Sequence, residues 1–329
     1  MPNTLAHMGV ARLTSLALFR DADAKWIYIG CVIPDIPWII QRLVASILPG
    51  TNLLDLRLYV IIQASLFFSL VFSAAVSLIF KPTLRIFLLL GFNCLIHLLL
   101  DAVQIKWANG VHFLVPLSWQ MTGFGIFWPE NLFSYFLTGF GLIMVLWYWQ
   151  DTWRRPVFLS PPSFIRIMAS TGLLIVYFSL PFFFFDGPEQ LDNHYISTLI
   201  HLHARPHRTN AFDRCYYDPD TQAIRIFSGE VIKVSGIKSP RAATVSIKGR
   251  FVTTDRIQVQ VFHIHYPFRD AASLLGLALI TILWFTAGWG KGKSPGSNLT
   301  NSKHLPPPVD CLTVYPAFLI RFGHFRLAA

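Results

Sequence analysis

His97 and Asp101 stand four residues apart near the end of an apolar run, within the segment 93–119, NCLIHLLLDAVQIKWANGVHFLVPLSW. On a helix that spacing puts both side chains on one face, about 40° apart around the axis. Asn93, one turn earlier, falls on the same stripe, and the polar residues Gln104, Lys106, Asn109 and His112 follow at once. A neutral imidazole beside a carboxylate is a donor set for a divalent metal such as zinc. The same spacing also suits an internal ion pair or hydrogen bond. Chemistry is favoured by the setting, because an ionisable side chain among hydrocarbon neighbours is costly and marks function by default.

The first 185 residues hold three histidines, His7, His97 and His112, and seven acids. Of the acids, Asp35, Asp101 and Glu130 lie in apolar or aromatic surroundings. In a membrane bundle these six groups have few partners but one another. A divalent cation held by His7, Asp35, His97 and Asp101, with His112 as a further candidate ligand, would offset their charge and supply a Lewis acid with an activated water. Glu130, an acid left outside that ligand set, is the candidate general base. Lys106 is the candidate for binding an anionic group such as phosphate. The alternative is a buried polar network that ties helix ends together without metal, and spacing alone slightly favours it.

The elements that must position these groups are membrane helices. Of the 329 residues, 53% are hydrophobic and only 13% charged, with a mean hydropathy of +0.50. A soluble domain has about 25% charged residues. Residues 26–40 are apolar but short and carry Pro34 and Pro37 around Asp35, which predicts a broken or re-entrant segment lining a cavity. Full spans are expected over 58–80, 85–100, 132–149, 167–185 and 271–289. A short capped helix with Asn3 or Thr4 at its start carries His7. From 186 the composition changes: 186–270 hold 9 acidic and 11 basic residues, against 7 and 11 in the whole of 1–185. AIRIF, EVIKVSG, ATVSIKGRFV and DRIQVQVFHIHY alternate with period two, which predicts a small β-domain, OB-like or a similar barrel. Residues 290–329 begin as a Gly/Pro/Ser-rich tail and are expected to be disordered.

The fold class is therefore a polytopic α-helical membrane protein with an inserted β-domain. Its organisation is a bundle over 1–185, a β-domain over 186–270, a final span over 271–289 and a cytoplasmic tail. The net charge of +10 is read as topogenic, since Lys81 and Arg85, Arg154 and Arg155, and Lys291 and Lys293 all fall on one side of alternating spans, the cytoplasmic side. The β-domain and the 101–130 segment then face outward. Nucleic acid is not an expected partner, because the β-domain faces outward with nearly balanced charge. The four cysteines form no CxxC pair and imply neither a disulfide framework nor a zinc ribbon. His201/His203 and His263/His265 would each share one strand face; the two pairs could bind metal if they met, but the favoured expectation is solvated or interfacial residues near the membrane surface.

Thr4–His7 as T-x-x-H, Gly30 with Pro34-Asp35 as G-x-x-x-PD, and His97–Asp101 as HLLLD resemble the bacterial inner-membrane metal-dependent hydrolases of the YdjM type over residues 1–150. The order of early His, Asp and H-x-x-x-D is also similar to that of zinc-dependent phospholipase C. The H-R-x-x-T-H element of the YdjM-type family has no counterpart, because residues 41–80 contain no histidine. The resemblance implies a metal-dependent hydrolase of the bacterial cytoplasmic membrane, and the topology read from the basic clusters puts its site on the outer face. It would carry a divalent metal, zinc by its donors, and act on a phosphate-containing or lipid substrate. The competing expectation is a non-catalytic membrane protein whose β-domain binds an envelope protein.

Overall fold

A computed structural model describes residues 3–19, 21–155, 157 and 163–287, and these belong to one compact unit. The tail expected to be disordered lies outside the described residues. Helix α1 (Thr4–Leu18) starts at Asn3, whose side chain accepts from Ala6 N at 2.9 Å. Helix α2 (Ala24–Val32) runs through a 3₁₀ turn (Ile33–Asp35) into α3 (Ile36–Ile47). Then come α4 (Leu53–Gln63), α5 (Leu66–Ile79) and α6 (Thr83–Ala102). After the loop 103–131 follow α7 (Leu132–Trp147), α8 (Trp149–Arg154) and α9 (Phe164–Ser179). Two short helical turns, α10 (Asp186–Gln190) and α11 (Ile196–Ile200), lead into the strands, and α12 (Phe268–Ala287) closes the described chain.

Four helical stretches are long and apolar enough to cross a membrane: Ala24–Ile47, Thr83–Ala102, Phe164–Gln190 and Phe268–Thr286. A fifth is available if α4 and α5 count as one span bent by 70°. Three expectations are corrected. The segment 26–40 is not cut short by its prolines but belongs to a stretch of 24 residues. Pro34 and Pro37 sit in the first turn of the 3₁₀ turn and of α3, where a missing N–H leaves no bond unmade. The unbroken span expected over 58–80 is instead split at Ala64 and Ser65, where Ser65 is extended and Leu66 N donates to the His112 carbonyl at 3.1 Å. Helix α7, at 16 residues, is shorter than a span.

The bundle has two distinct ends. At one, Trp26, Phe80 and Trp284 pack edge to face, and Lys25 Nζ donates to the carbonyls of Thr152 (2.7 Å) and Arg155 (2.8 Å). This is the end of Lys81 and of Arg154 and Arg155. Asp35, His97 and Asp101 lie at the other. Helix α1 runs antiparallel to α6: Ser15 Oγ meets the Asn93 amide at 3.0–3.1 Å, while His7 meets His97 and Asp101. Asn93 thus joins helices and does not enter the site. Phe136, Ile143, Ile165, Ile175 and Leu274 leave wide apolar faces exposed on α7, α9 and α12.

The β-unit has strands β1 (Thr209–Asp218), β2 (Ala223–Arg225), β3 (Val231–Ser235), β4 (Ala243–Phe251) and β5 (Arg256–His265). Their pairing order is β1-β2-β3-β5-β4, with β4 pairing back to β1 and only β3–β5 parallel. Phe212, Ile224, Ile232, Val245, Ile247, Phe251 and Ile257 fill its core, and Cys215 lies among them. The buried Arg205 binds Glu230 through both guanidinium nitrogens and donates to the carbonyls of Thr198 and Leu199, fastening the preceding turns to the strands.

Close helix contact fixes where His7 sits. Gly9 of α1 faces Gly141 of α7, and a Cβ on Gly141 would overlap the Leu5 backbone carbonyl. Small residues allow this approach between membrane helices. Gly141→Val is expected to destabilise the detergent-solubilised protein by about 1–3 kcal/mol through overpacking, read as a lower thermal midpoint. An unchanged midpoint would contradict the packing described.

Candidate metal centre

Helix α1 brings His7, the turn before α3 brings Asp35, and α6 brings His97 and Asp101 to one buried place. The His7 and His97 rings stack with centroids 4.0 Å apart and planes 14° from parallel. His7 Nδ1 lies 3.3 Å from the Asn3 carbonyl, which can only accept, so Nδ1 carries the proton and Nε2 keeps a free lone pair. His7 Nε2 is 3.6 Å from Asp101 Oδ1. His97 Nε2 is 3.2 Å from Asp35 Oδ1 and 3.9 Å from Asp101 Oδ2. Asp101 Oδ2 is taken by Lys106 Nζ at 2.9 Å.

His7 Nε2, both ring nitrogens of His97 and Asp101 Oδ1 are buried without an aligned hydrogen-bond partner. Leaving a buried polar atom unsatisfied costs about 1–3 kcal/mol. One ligand atom from each of His7, His97 and Asp101 lies within 4.8 Å of the others. A single divalent cation would satisfy all three residues at once, and the backbone bond on His7 Nδ1 is the outer contact that orients a ligating imidazole. Asp35 borders this trio without being one of its converging atoms.

His97 and Asp101, but not His7, line a cavity of about 460 Å³ together with Asp35, Lys106 and His112. Arg42, Arg57, Arg214 and Arg269 also line it, with Asp213 and Asp270. Three of these guanidinium groups hold a buried nitrogen with no hydrogen-bond partner: Arg57 Nε, Arg214 Nη1 and Arg269 Nε. Arg57 is wedged between the Trp38 and Phe227 rings, 5.1 and 4.1 Å from their centroids. Asp213 and Arg214 reach the cavity because a bulge between Phe212 and Cys215 breaks the β1–β4 register and turns them away from the β-core.

Two expected site residues are placed differently. His112 lines the cavity, but its Nε2 lone pair is occupied by the Asn193 amide at 3.0 Å. The Asn193 orientation is fixed, since the same nitrogen donates to the Trp119 carbonyl at 2.8 Å. His112 is therefore a wall of the cavity and not a ligand in this arrangement. Glu130 does not line the cavity. Its two oxygens instead face His263 Nε2 at 3.1 Å and His265 Nδ1 at 2.8 Å. Burial raises its pKa, but the contacts with the His265 and His263 rings outweigh this and hold the carboxyl at about 2. Of the two histidine pairs in the β-unit, His201 and His203 are exposed and only His263 and His265 enter a cluster.

Comparison with protein-family models finds no match, and comparisons with curated proteins and with solved structures find none either.

Burial pushes the His112 pKa down to about 4. The unfolded chain takes up this proton near 6.5, so the contribution of His112 to stability is complete above that pH and is lost as pH falls toward 4. The full loss is about 3 kcal/mol for a shift of this size. His112→Gln is expected to flatten the fall in thermal midpoint between pH 6.5 and 4. Parallel curves for the variant and the native chain would contradict it.

Proposed function

We propose that this chain is a metal-dependent hydrolase of a bacterial cytoplasmic membrane, with its site at the extracytoplasmic end of the bundle and a phosphate ester as its substrate. The observation that carries this reading is the convergence of unsatisfied donor atoms on His7, His97 and Asp101 beside a cavity with unsatisfied guanidinium nitrogens. The donor set, two neutral imidazoles and a carboxylate, suits zinc and leaves coordination positions for water and substrate. A metal held there would supply a Lewis acid and lower the pKa of a bound water. The short motifs over residues 1–150 that resemble the YdjM-type hydrolases support the same reading.

The residues divide the remaining tasks. Lys106 pairs with Asp101 Oδ2, which turns the other carboxylate oxygen toward the imidazoles. Arg57, Arg214 and Arg269 offer free N–H groups to phosphoryl oxygens, the pairing for which a guanidinium is best shaped. Asp35, whose Oδ1 lies 3.2 Å from His97 Nε2, takes the general-base position first expected of Glu130 and accepts a proton from the attacking water. The basic residues Lys81, Arg154 and Arg155 support a cytoplasmic location for that end. The strand order with its single parallel pair, β3–β5, supports an OB-type barrel for the β-unit, which covers the cavity through Asp213 and Arg214.

His97→Ala and Asp101→Asn are each expected to remove the bound metal and abolish hydrolysis of a chromogenic phosphodiester. Asp35→Asn is expected to keep the metal and lower kcat by about 10²–10⁴-fold, the usual contribution of a general base. Metal content from elemental analysis of untagged protein, paired with initial rates, checks all three. Wild-type protein free of metal at this site, or a His97→Ala variant with undiminished activity, would overturn the reading.

A further inference from the structure

Glu130 precedes α7 in the loop that joins it to α6, whereas His263 and His265 stand two apart on β5 and share one face of it. The two imidazoles hold the two oxygens of one carboxylate: Oε2 meets His263 Nε2 at 3.1 Å and Oε1 meets His265 Nδ1 at 2.8 Å. Ligand atoms of all three residues lie within 4.8 Å of one another.

The far side of His265 fixes its protonation pattern. Ser246 Oγ has one proton and donates it to Asp213 Oδ1 at 2.6 Å, because a carboxylate can only accept. The same oxygen therefore accepts from His265 Nε2 at 2.7 Å, and from Arg214 N at 3.1 Å. With the ring proton on Nε2, a neutral His265 presents a bare lone pair at Nδ1, and that lone pair faces the lone pairs of Glu130 Oε1. Two acceptors at this distance need a positive charge between them, either a second ring proton or a metal ion.

We infer that Glu130, His263 and His265 form a second transition-metal site, of the zinc-binding kind, which clamps the 103–131 loop to β5. The site shares no ligand with the His7, His97 and Asp101 centre. Two imidazoles and a carboxylate are a zinc donor set, and the path from His265 through Ser246 to Asp213 is the outer-shell support that ligating histidines carry. Trp128 stacks on the His263 ring at 3.8 Å, with planes 7° apart, and holds it in place. The His263 side chain is 24% exposed while those of Glu130 and His265 are 7% and 2% exposed, which leaves one open side for a solvent ligand. Arg214 Nη1 lies 3.9 Å from Glu130 Oε1, but the same guanidinium is paired through its other nitrogen with Asp270 at 2.6 Å. The clamp would order the loop that carries Lys106 and His112 into the cavity.

The test is metal stoichiometry of the full chain, purified without a polyhistidine tag, stripped with chelator and reloaded with zinc or cobalt alone. Wild type is expected to hold two equivalents, and His263→Ala and Glu130→Gln one each. His97→Ala is expected to keep one cobalt with visible d–d absorption. That last measurement leaves the inferred site intact, so it stands even where His263→Ala fails to fold. A wild type whose single equivalent vanishes in His97→Ala overturns this inference and leaves the proposed hydrolase centre standing. One equivalent that persists in His97→Ala but is lost in Glu130→Gln supports the second site and removes the first. Zinc binding in His263→Ala and Glu130→Gln equal to wild type also overturns the inference.

Discussion

The Asp101 carboxylate is the group on which the arrangement depends. One oxygen is held by Lys106 at 2.9 Å, and the other faces His7 without a hydrogen bond. A buried charge is retained only when it is paired, and pairing on one oxygen alone leaves the second with an uncompensated cost. Each surrounding element delivers one partner to that point: α1 brings His7, α6 brings His97 and the loop brings Lys106. The His7–His97 stack keeps the two imidazoles side by side, so that their free nitrogens serve the same space.

The rest of the bundle holds these partners in register. Gly9 against Gly141 draws α1 onto α7, and Gly30 lets α2 approach Leu90 and Asn93 of α6. The Ser15–Asn93 hydrogen bonds set the axial position of α1, two turns from His7. On the opposite side of the cavity, the β1 bulge and the start of α12 contribute Arg214, Asp213, Arg269 and Asp270. The β-unit is thus part of the cavity wall and is not an appendage to the helices.

Much of the centre was legible in the sequence because ionisable residues are rare in apolar helices. His7, Asp35, His97, Asp101 and Lys106 stood out on that ground and are brought together. Arg57, inside the apolar run LLDLRLYVIIQ, carries the same signal, but it stands just before the span expected from residue 58 and so reads as a flanking charge. Asp213 and Arg214 left only a faint trace, two consecutive charged residues that interrupt the alternation of FDRC. The Asn193 contact that removes His112 from the ligand set had no local sign. It rests on a turn in which Asp192, His194 and Tyr195 all have positive φ, at 52°, 55° and 57°, held by Asp192 accepting from Thr198. The strands β2 to β5 followed from two-residue periodicity, whereas β1 was hidden by its bulge. The two misread segments, 26–40 and 58–80, have separate origins. Proline in a helix's first turn does no damage, and the break at Ala64 and Ser65, with neither proline nor glycine, is set by a tertiary bond to His112.

The central claim is that His7, His97 and Asp101 hold one metal ion, and anomalous diffraction from crystals of the zinc-loaded chain addresses it directly. The account predicts an anomalous peak about 2.0–2.2 Å from His7 Nε2, His97 Nε2 and Asp101 Oδ1, the distances of zinc to nitrogen and oxygen ligands. No peak at that position in fully loaded crystals, with water or side-chain hydrogen bonds satisfying the three atoms, would contradict it.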